Sequence, residues 1–179
     1  MIVYKYSPVE MPNDKVNTMN IIKTFNANRV IPYNHEELDG CILWIFCHGL
    51  FTDKVVKTFD PTTGKVEEKT TSDFLLMIGE KLYLESVHFP VYFKCKNCYI
   101  IIDSCNSNRM DLNTLSEFKE KNNLIFLSGY EPELNTFEGS TLNYCLYQYG
   151  LTHYRFILKD LRAYFREFNA KNKTTLVCF

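Results

Sequence analysis

Two stretches of the chain show no polar alternation: Ile42-Leu-Trp-Ile-Phe-Cys47 and Tyr99-Ile-Ile-Ile102. Short, continuous apolar runs rich in β-branched and aromatic residues predict strands buried on both faces, as in a parallel α/β sheet. Residues 124–128 read the same way. Residues 2–6 and 29–33 add two shorter strands, the second stopped by Pro32. Helical spacing of Val16, Met19 and Ile22 predicts a helix over 14–26, capped by Asn13 or Asp14. Residues 54–59 and 65–70 flank Asp60-Pro-Thr-Thr-Gly64, a set of turn formers, and so predict an antiparallel hairpin. Further helices are predicted over 71–84, with Ser72 as cap, over 112–121, over 139–149 with Gly150 as its stop, and over 159–168. Residues 174–179 close the chain as a strand. Strands alternating with helices predict an α/β fold of three layers, a mostly parallel sheet with helices on both faces and one small hairpin. No repeat, low-complexity tract or composition shift divides the chain, so residues 1–179 are expected to form a single domain.

Composition narrows the partners. A length of 179 residues suits one well-buried core. A formal charge of −1 leaves no basic surplus to neutralise phosphates, so nucleic acid is not the expected main partner. No apolar run approaches the roughly 20 residues that span a bilayer, and the first ten residues lack the basic-then-apolar pattern of a signal peptide. A soluble, cytoplasmic protein without membrane contact is expected. Seven cysteines, an odd number scattered along the chain, fit reduced thiols better than a disulfide framework. Cys95-Lys-Asn-Cys98 has the spacing of half a zinc knuckle. No second pair follows, and His88 is the one histidine nearby, so the pair reads as two thiols leading into a core strand. No glycine-rich phosphate loop is present. Neither metal nor cofactor is expected.

The chemistry is expected where the two buried runs stop. The first ends in His48-Gly49, the second in Asp103-Ser104-Cys105. In open α/β sheets, sites form just beyond the carboxyl ends of the strands. A thiol needs a base or a positive field to become a nucleophile, and imidazole is the usual supplier. Taken singly, a histidine at a strand end is often a hydrogen-bonded structural residue, and a buried cysteine is usually a small hydrophobe. Their joint placement is what favours a dyad of His48 and Cys105. Gly49 has no Cβ to block the approach of its amide to a ligand. That amide and the amide of Cys105 would form an oxyanion hole. Cys47 is the competing nucleophile; strand alternation turns it away from His48, into the core.

Three blocks carry a resemblance: Asp39-Gly-Cys-Ile-Leu-Trp-Ile-Phe-Cys-His48-Gly49, Tyr99-Ile-Ile-Ile-Asp103-Ser-Cys105 and Leu124-Ile-Phe-Leu-Ser128-Gly-Tyr130. Together they resemble the caspase-like cysteine peptidases, a group that includes caspases, metacaspases, the legumain and gingipain types, and bacterial CHAT proteases. The resemblance runs from about residue 29 to 179, through the strand order, the hairpin after the histidine, and the closing helix and strand. Asp-Ser-Cys105 followed by Asn-Ser is closer to the metacaspase form than to the animal caspase form. The resemblance implies a caspase-like fold and a cysteine endopeptidase acting on protein or peptide substrates. His48 would be general base and acid, Cys105 the nucleophile, and Gly49 an oxyanion donor. Residues 106–123 are short and mostly helical, so activation by cutting a long linker is not expected. A bare catalytic core regulated by a protein partner is.

Asp103 falls two residues before Cys105, where this family lines its S1 pocket. A carboxylate there would attract Arg or Lys at P1 through charge-assisted hydrogen bonds; the plainer reading has it bonding loop amides. Ser128, ending the third block, is the second expected substrate-binding residue. Glu131, Glu133 and Glu138 would add negative field, or be ordinary solvated loop charges. The rival function is a catalytically silent caspase-like module that regulates a protease or a death-type pathway, against which the intact dyad argues. A flavodoxin-like binding domain ranks last for want of a phosphate loop.

Overall fold

The computed structural model describes residues 1–179 except 52, 54, 71, 72 and 131–137. Among the described residues the main sheet has six strands. They are β1 (Ile2–Tyr6), β2 (Arg29–Pro32), β4 (Ile42–Phe46), β11 (Tyr99–Asp103), β12 (Leu124–Leu127) and β13 (Val177–Cys178), in the spatial order β13-β12-β11-β4-β1-β2. All pairs are parallel except β12 with β13. The fold is therefore α/β with a mostly parallel main sheet, as the alternation of elements predicts.

The unbroken apolar runs divide by parity between two cores. Leu43, Ile45, Ile100, Ile102, Ile125 and Leu127 pack on one face, while Ile42, Trp44, Phe46, Ile101, Leu124 and Phe126 pack on the other. Helices α1 (Asp14–Phe25), α4 (Thr141–Thr152) and α5 (Leu158–Asn172) cover the second face through Ile21, Leu146, Tyr149 and Phe165. The first face is covered by α2 (Phe89–Tyr92) and α3 (Leu112–Glu120) through Phe89, Leu115 and Phe118. Trp44 is wholly buried beside Phe46, their rings stacked 5.0 Å apart. No helix among the described residues is long and apolar enough to cross a membrane.

The hairpin after the histidine belongs to something larger. Strands β5 (Gly49–Phe51), β6 (Val55–Asp60), β7 (Lys65–Thr70), β8 (Phe74–Gly79) and β9 (Leu82–Glu85) form a second sheet in the order β5-β8-β9-β6-β7. Its β6–β7 part is the predicted hairpin, closed by the Asp60 carboxylate, which accepts from the Thr62 amide at 2.9 Å. The expected helix over 71–84 is wrong. Phe74-Leu-Leu-Met-Ile is a short apolar run without 3.6-residue spacing, and such runs do not distinguish helix from strand by pattern alone. Here β5 and β9 were available to pair with it, and the chain reverses through Lys81, whose φ is 53°. Ser72, the expected cap, lies outside the described residues.

Smaller departures have local causes. Gly150 does not end α4; it lies within that helix, where an added Cβ would come 3.4 Å from the Thr24 carbonyl oxygen of α1. The glycine serves close helix packing rather than a C-terminal stop. Helix α5 runs past residue 168 to Asn172 and ends at Lys173 in a left-handed conformation. The closing strand is two residues long, extended by paired backbone hydrogen bonds between Ile125 and Phe179. A two-stranded parallel pair, β3 (Leu38–Asp39) with β10 (Cys95–Lys96), lies at the entrance to β4 and β11.

Candidate active site

Strands β4 and β11 are adjacent, parallel and in register, Phe46 opposite Asp103. Both run out at the same level, and His48 and Cys105 follow two residues beyond. The two side chains line one cleft of about 190 Å³, together with Asp103, Ser104, Ser128 and Ser140. Met11 and Pro12, from the loop after β1, form another wall. The expected site residues His48, Cys105, Asp103 and Ser128 are thus brought together, with Gly49 immediately behind.

At His48 the chain leaves the main sheet. The His48 carbonyl accepts from the Met77 amide at 2.9 Å, and Gly49 then pairs with Leu76 of β8. The imidazole is exposed to solvent. Gly49 packs so tightly that an added Cβ would overlap the Cys105 carbonyl oxygen and the Ser104 hydroxyl and come 2.7 Å from the Phe74 ring. The nearest of these, the Cys105 carbonyl, is backbone and cannot swing away as a side chain would. Gly49→Ala is expected to destabilise the protein by about 1–3 kcal/mol, the usual cost of overpacking. Urea unfolding checks this; an unchanged midpoint would mean that the two strand ends are not locked together.

Cys105 is half-buried and begins a tight turn. Asn106 follows with φ 67°, then a 3-10 turn over Ser107–Arg109. Ser107, which sequence reasoning missed, anchors the turn. Its buried hydroxyl donates toward the carbonyls of Ile102 and Ser128, each at 3.0 Å, and accepts from the Ser128 amide at 2.7 Å. One hydroxyl therefore ties the Cys105 turn to the ends of both β11 and β12. In the sequence this serine counts only as part of the Asn-Ser that follows Cys105; its anchoring role was hidden because its partners are 5 and 21 residues away. Ser128 is itself buried, its hydroxyl donating to the Gly129 carbonyl at 3.3 Å.

Asp103 is only 4% exposed and is well bonded. Its Oδ2 accepts from the Ser140 hydroxyl at 2.8 Å and from Trp44 Nε1 at 3.4 Å. The carboxylate expected to meet a P1 cation is thus held in place by the Ser140 hydroxyl and the Trp44 indole. Ser140 is the second residue that the sequence did not single out. It caps α4, its Oγ accepting from the Asn143 amide at 3.3 Å, and its own amide donates to Asn17 Oδ1 at 2.8 Å. The readable signal was a serine just before an apolar helical stretch.

The other candidates fall away from the chemistry. Burial pushes the Cys47 thiol up and the nearby Asp103 charge adds to the shift, so Cys47 stays protonated in the core. Arg109 lays its guanidinium 3.8 Å from the centre of the Phe51 ring. Glu138 is described and its carbonyl accepts from Asn20, whereas Glu131 and Glu133 lie outside the described residues. His153 bonds the Tyr149 carbonyl and stacks on that ring. Among the described residues no cluster of His, Cys, Asp or Glu is arranged to hold a metal ion. Comparison with family models, with curated proteins and with solved structures found no match.

Proposed function

We propose that this chain is a cysteine endopeptidase of caspase-like fold that cleaves protein or peptide substrates after a basic residue. The observation that carries the reading is the convergence of His48 and Cys105 at the ends of adjacent in-register strands, in one cleft, with Gly49 closed against the Cys105 turn. The order β13-β12-β11-β4-β1-β2, with the His and Cys strands central and extra strands inserted after the histidine, supports the fold assignment. Seven free thiols favour a reducing compartment, the cytoplasm.

In the proposed reaction the Cys105 thiol gives its proton to the His48 imidazole, and the thiolate attacks the scissile carbonyl carbon. The amides of Gly49 and Cys105 stabilise the oxyanion. His48 returns the proton to the leaving amine as the C–N bond breaks, leaving a thioester on Cys105. Water, deprotonated by His48, attacks the thioester; the acid product leaves and the thiol is restored. Asp103, with Ser128 near it, receives the P1 cation. A regulatory partner protein would govern access to the cleft.

A peptidyl-lysine or peptidyl-arginine acyloxymethyl ketone tests the reading directly. Attack by a catalytic thiolate expels the carboxylate and leaves a thioether on one residue. The expected result is a single adduct on the peptide containing Cys105. If the reagent leaves the chain unmodified while iodoacetamide still reaches Cys105, the silent interaction module becomes the better account.

A further inference from the structure

We infer that Cys41, Cys95 and Cys98 form a peroxide-responsive thiol site, in which Cys98 is oxidised and Cys41 closes a disulfide across the entrances of β4 and β11. The site is independent of the proposed peptidase activity and lies at the opposite end of the same two strands. Cys95 and Cys98 were legible as a pair; the third thiol, 54 residues earlier than Cys95, was not.

The geometry is specific. Cys41 Sγ lies 4.0 Å from Cys98 Sγ. The two residues immediately precede Ile42 and Tyr99, which are register partners, and the Tyr99 amide donates to the Cys41 carbonyl at 3.1 Å. Their backbones are thus one strand spacing apart, roughly 4.8 Å, inside the span a disulfide bridges. Asn97, with φ 55°, turns the chain between the paired cysteines. Asn122 fixes that turn from a buried position, accepting from the Cys98 amide at 3.1 Å and donating to the Cys95 carbonyl at 3.3 Å. Cys41 is half-buried, and Cys95 borders a cavity of about 310 Å³ rimmed by Lys94, Lys96 and Lys121. Cys98 itself is wholly buried, so a peroxide, little larger than water, reaches it past Cys41 or from the cavity beside Cys95.

The electrostatics assign the roles. The Cys95 thiol, foremost, and the amides of Cys41 and Gly40 stabilise negative charge on Cys98 and hold it down to about 6. Burial, and then the neighbouring Cys98, push Cys41 up to about 12. In the reduced site the Cys98 Sγ–H donates to the Lys96 carbonyl at 3.2 Å; Cys98, the thiol that gives up its proton more readily, takes the attacking role and Cys41 the resolving one. The Cys98 sulfur attacks one peroxide oxygen, the O–O bond breaks, and the departing hydroxide takes up a proton as water. The Cys41 sulfur then attacks the resulting sulfenic acid, the S–O bond breaks, and the oxygen leaves as a second water with the Cys41 proton. Two thiols and one hydrogen peroxide give one disulfide and two waters.

The test uses the full chain carrying Cys105→Ala, so that oxidation of the candidate nucleophile does not intervene. Hydrogen peroxide is added, remaining thiols are capped with N-ethylmaleimide, and peptides are mapped by mass spectrometry. The expected product has lost two hydrogens, carries a Cys41–Cys98 cross-link and is restored by dithiothreitol. Cys98 should be consumed at least about tenfold faster than Cys145 and Cys178, thiols of comparable burial. With Cys41→Ser added, dimedone should trap the sulfenic acid on Cys98. A Cys95–Cys98 cross-link would overturn the resolving role of Cys41. Oxidation of Cys98 no faster than that of Cys145 would overturn the site altogether.

Discussion

Cys105→Ala is expected to abolish peptide hydrolysis, with turnover falling on the order of 10⁴-fold or more, because no other group in the cleft supplies a thiolate. Cys47, the one other cysteine lining the cleft, is buried and kept protonated. His48→Ala should cost a similar factor, and the double variant little more than either alone, since base and nucleophile act as one unit. The exposed imidazole and half-buried thiol both lie beyond the strand ends, so stability should change by about 1 kcal/mol or less. Cleavage assays paired with thermal unfolding separate the two effects. Residual hydrolysis with the ketone probe attached to Cys47 would sink the assignment of Cys105.

The second large effect is expected at P1. A positional scanning library should show cleavage after Arg or Lys, with Asp103 as the counter-charge. The hydrogen bonds from Ser140 and Trp44 dictate which variant tests this. Asp103→Ala would leave the buried Trp44 indole N–H without this acceptor, at about 1–3 kcal/mol, free the half-buried Ser140 hydroxyl, and mix instability with lost recognition. Asp103→Asn keeps an acceptor oxygen and nearly the same volume while removing the charge. It should lower kcat/KM for basic P1 residues by about 100-fold or more, the scale of losing a desolvated ion pair, and leave a neutral P1 substrate nearly unaffected. Preference for Asp at P1 would reverse the claim and make Arg109 the side chain to test, since Arg29 starts the edge strand β2 at the end of the sheet away from the cleft. Arg109 would then have to leave its stacking position on Phe51.

These expectations show what kind of information the chain displays locally. The central strands were legible because burial on both faces leaves no polar position to confuse the pattern, and a reactive residue at the end of such a run stands out. Gly49 was read as leaving its amide open to a ligand; the missing Cβ also makes room for the Cys105 carbonyl and the Ser104 hydroxyl, a contact the sequence does not display. The strand Phe74–Gly79 was not legible, because its state depends on pairing with Gly49–Phe51 and Leu82–Glu85 rather than on its own spacing. Ser107 and Ser140 were hidden for a related reason. Each is an ordinary hydroxyl whose importance comes from partners on other elements, Ser128 for one and Asp103 and Asn17 for the other. The strand positions of Asp103 and Trp44 could be read, but not the bond between their side chains, on neighbouring strands.

The crossing of the chain between sheets at His48 has a mechanical consequence. The backbone of the proposed base is fastened to the second sheet by the Met77 amide and by Gly49 pairing with Leu76. The turn that bears the proposed nucleophile is fastened to the main sheet by Ser107. Imidazole and thiol are thus mounted on two supports, joined at Gly49, by Arg109 of the Cys105 turn stacking on Phe51, and through a shared apolar core. A slight shear of one sheet over the other would alter their spacing. The β8–β9 hairpin, whose far turn at Lys81 carries no cleft residue, becomes a lever arm through which force applied at a distance would reach the base.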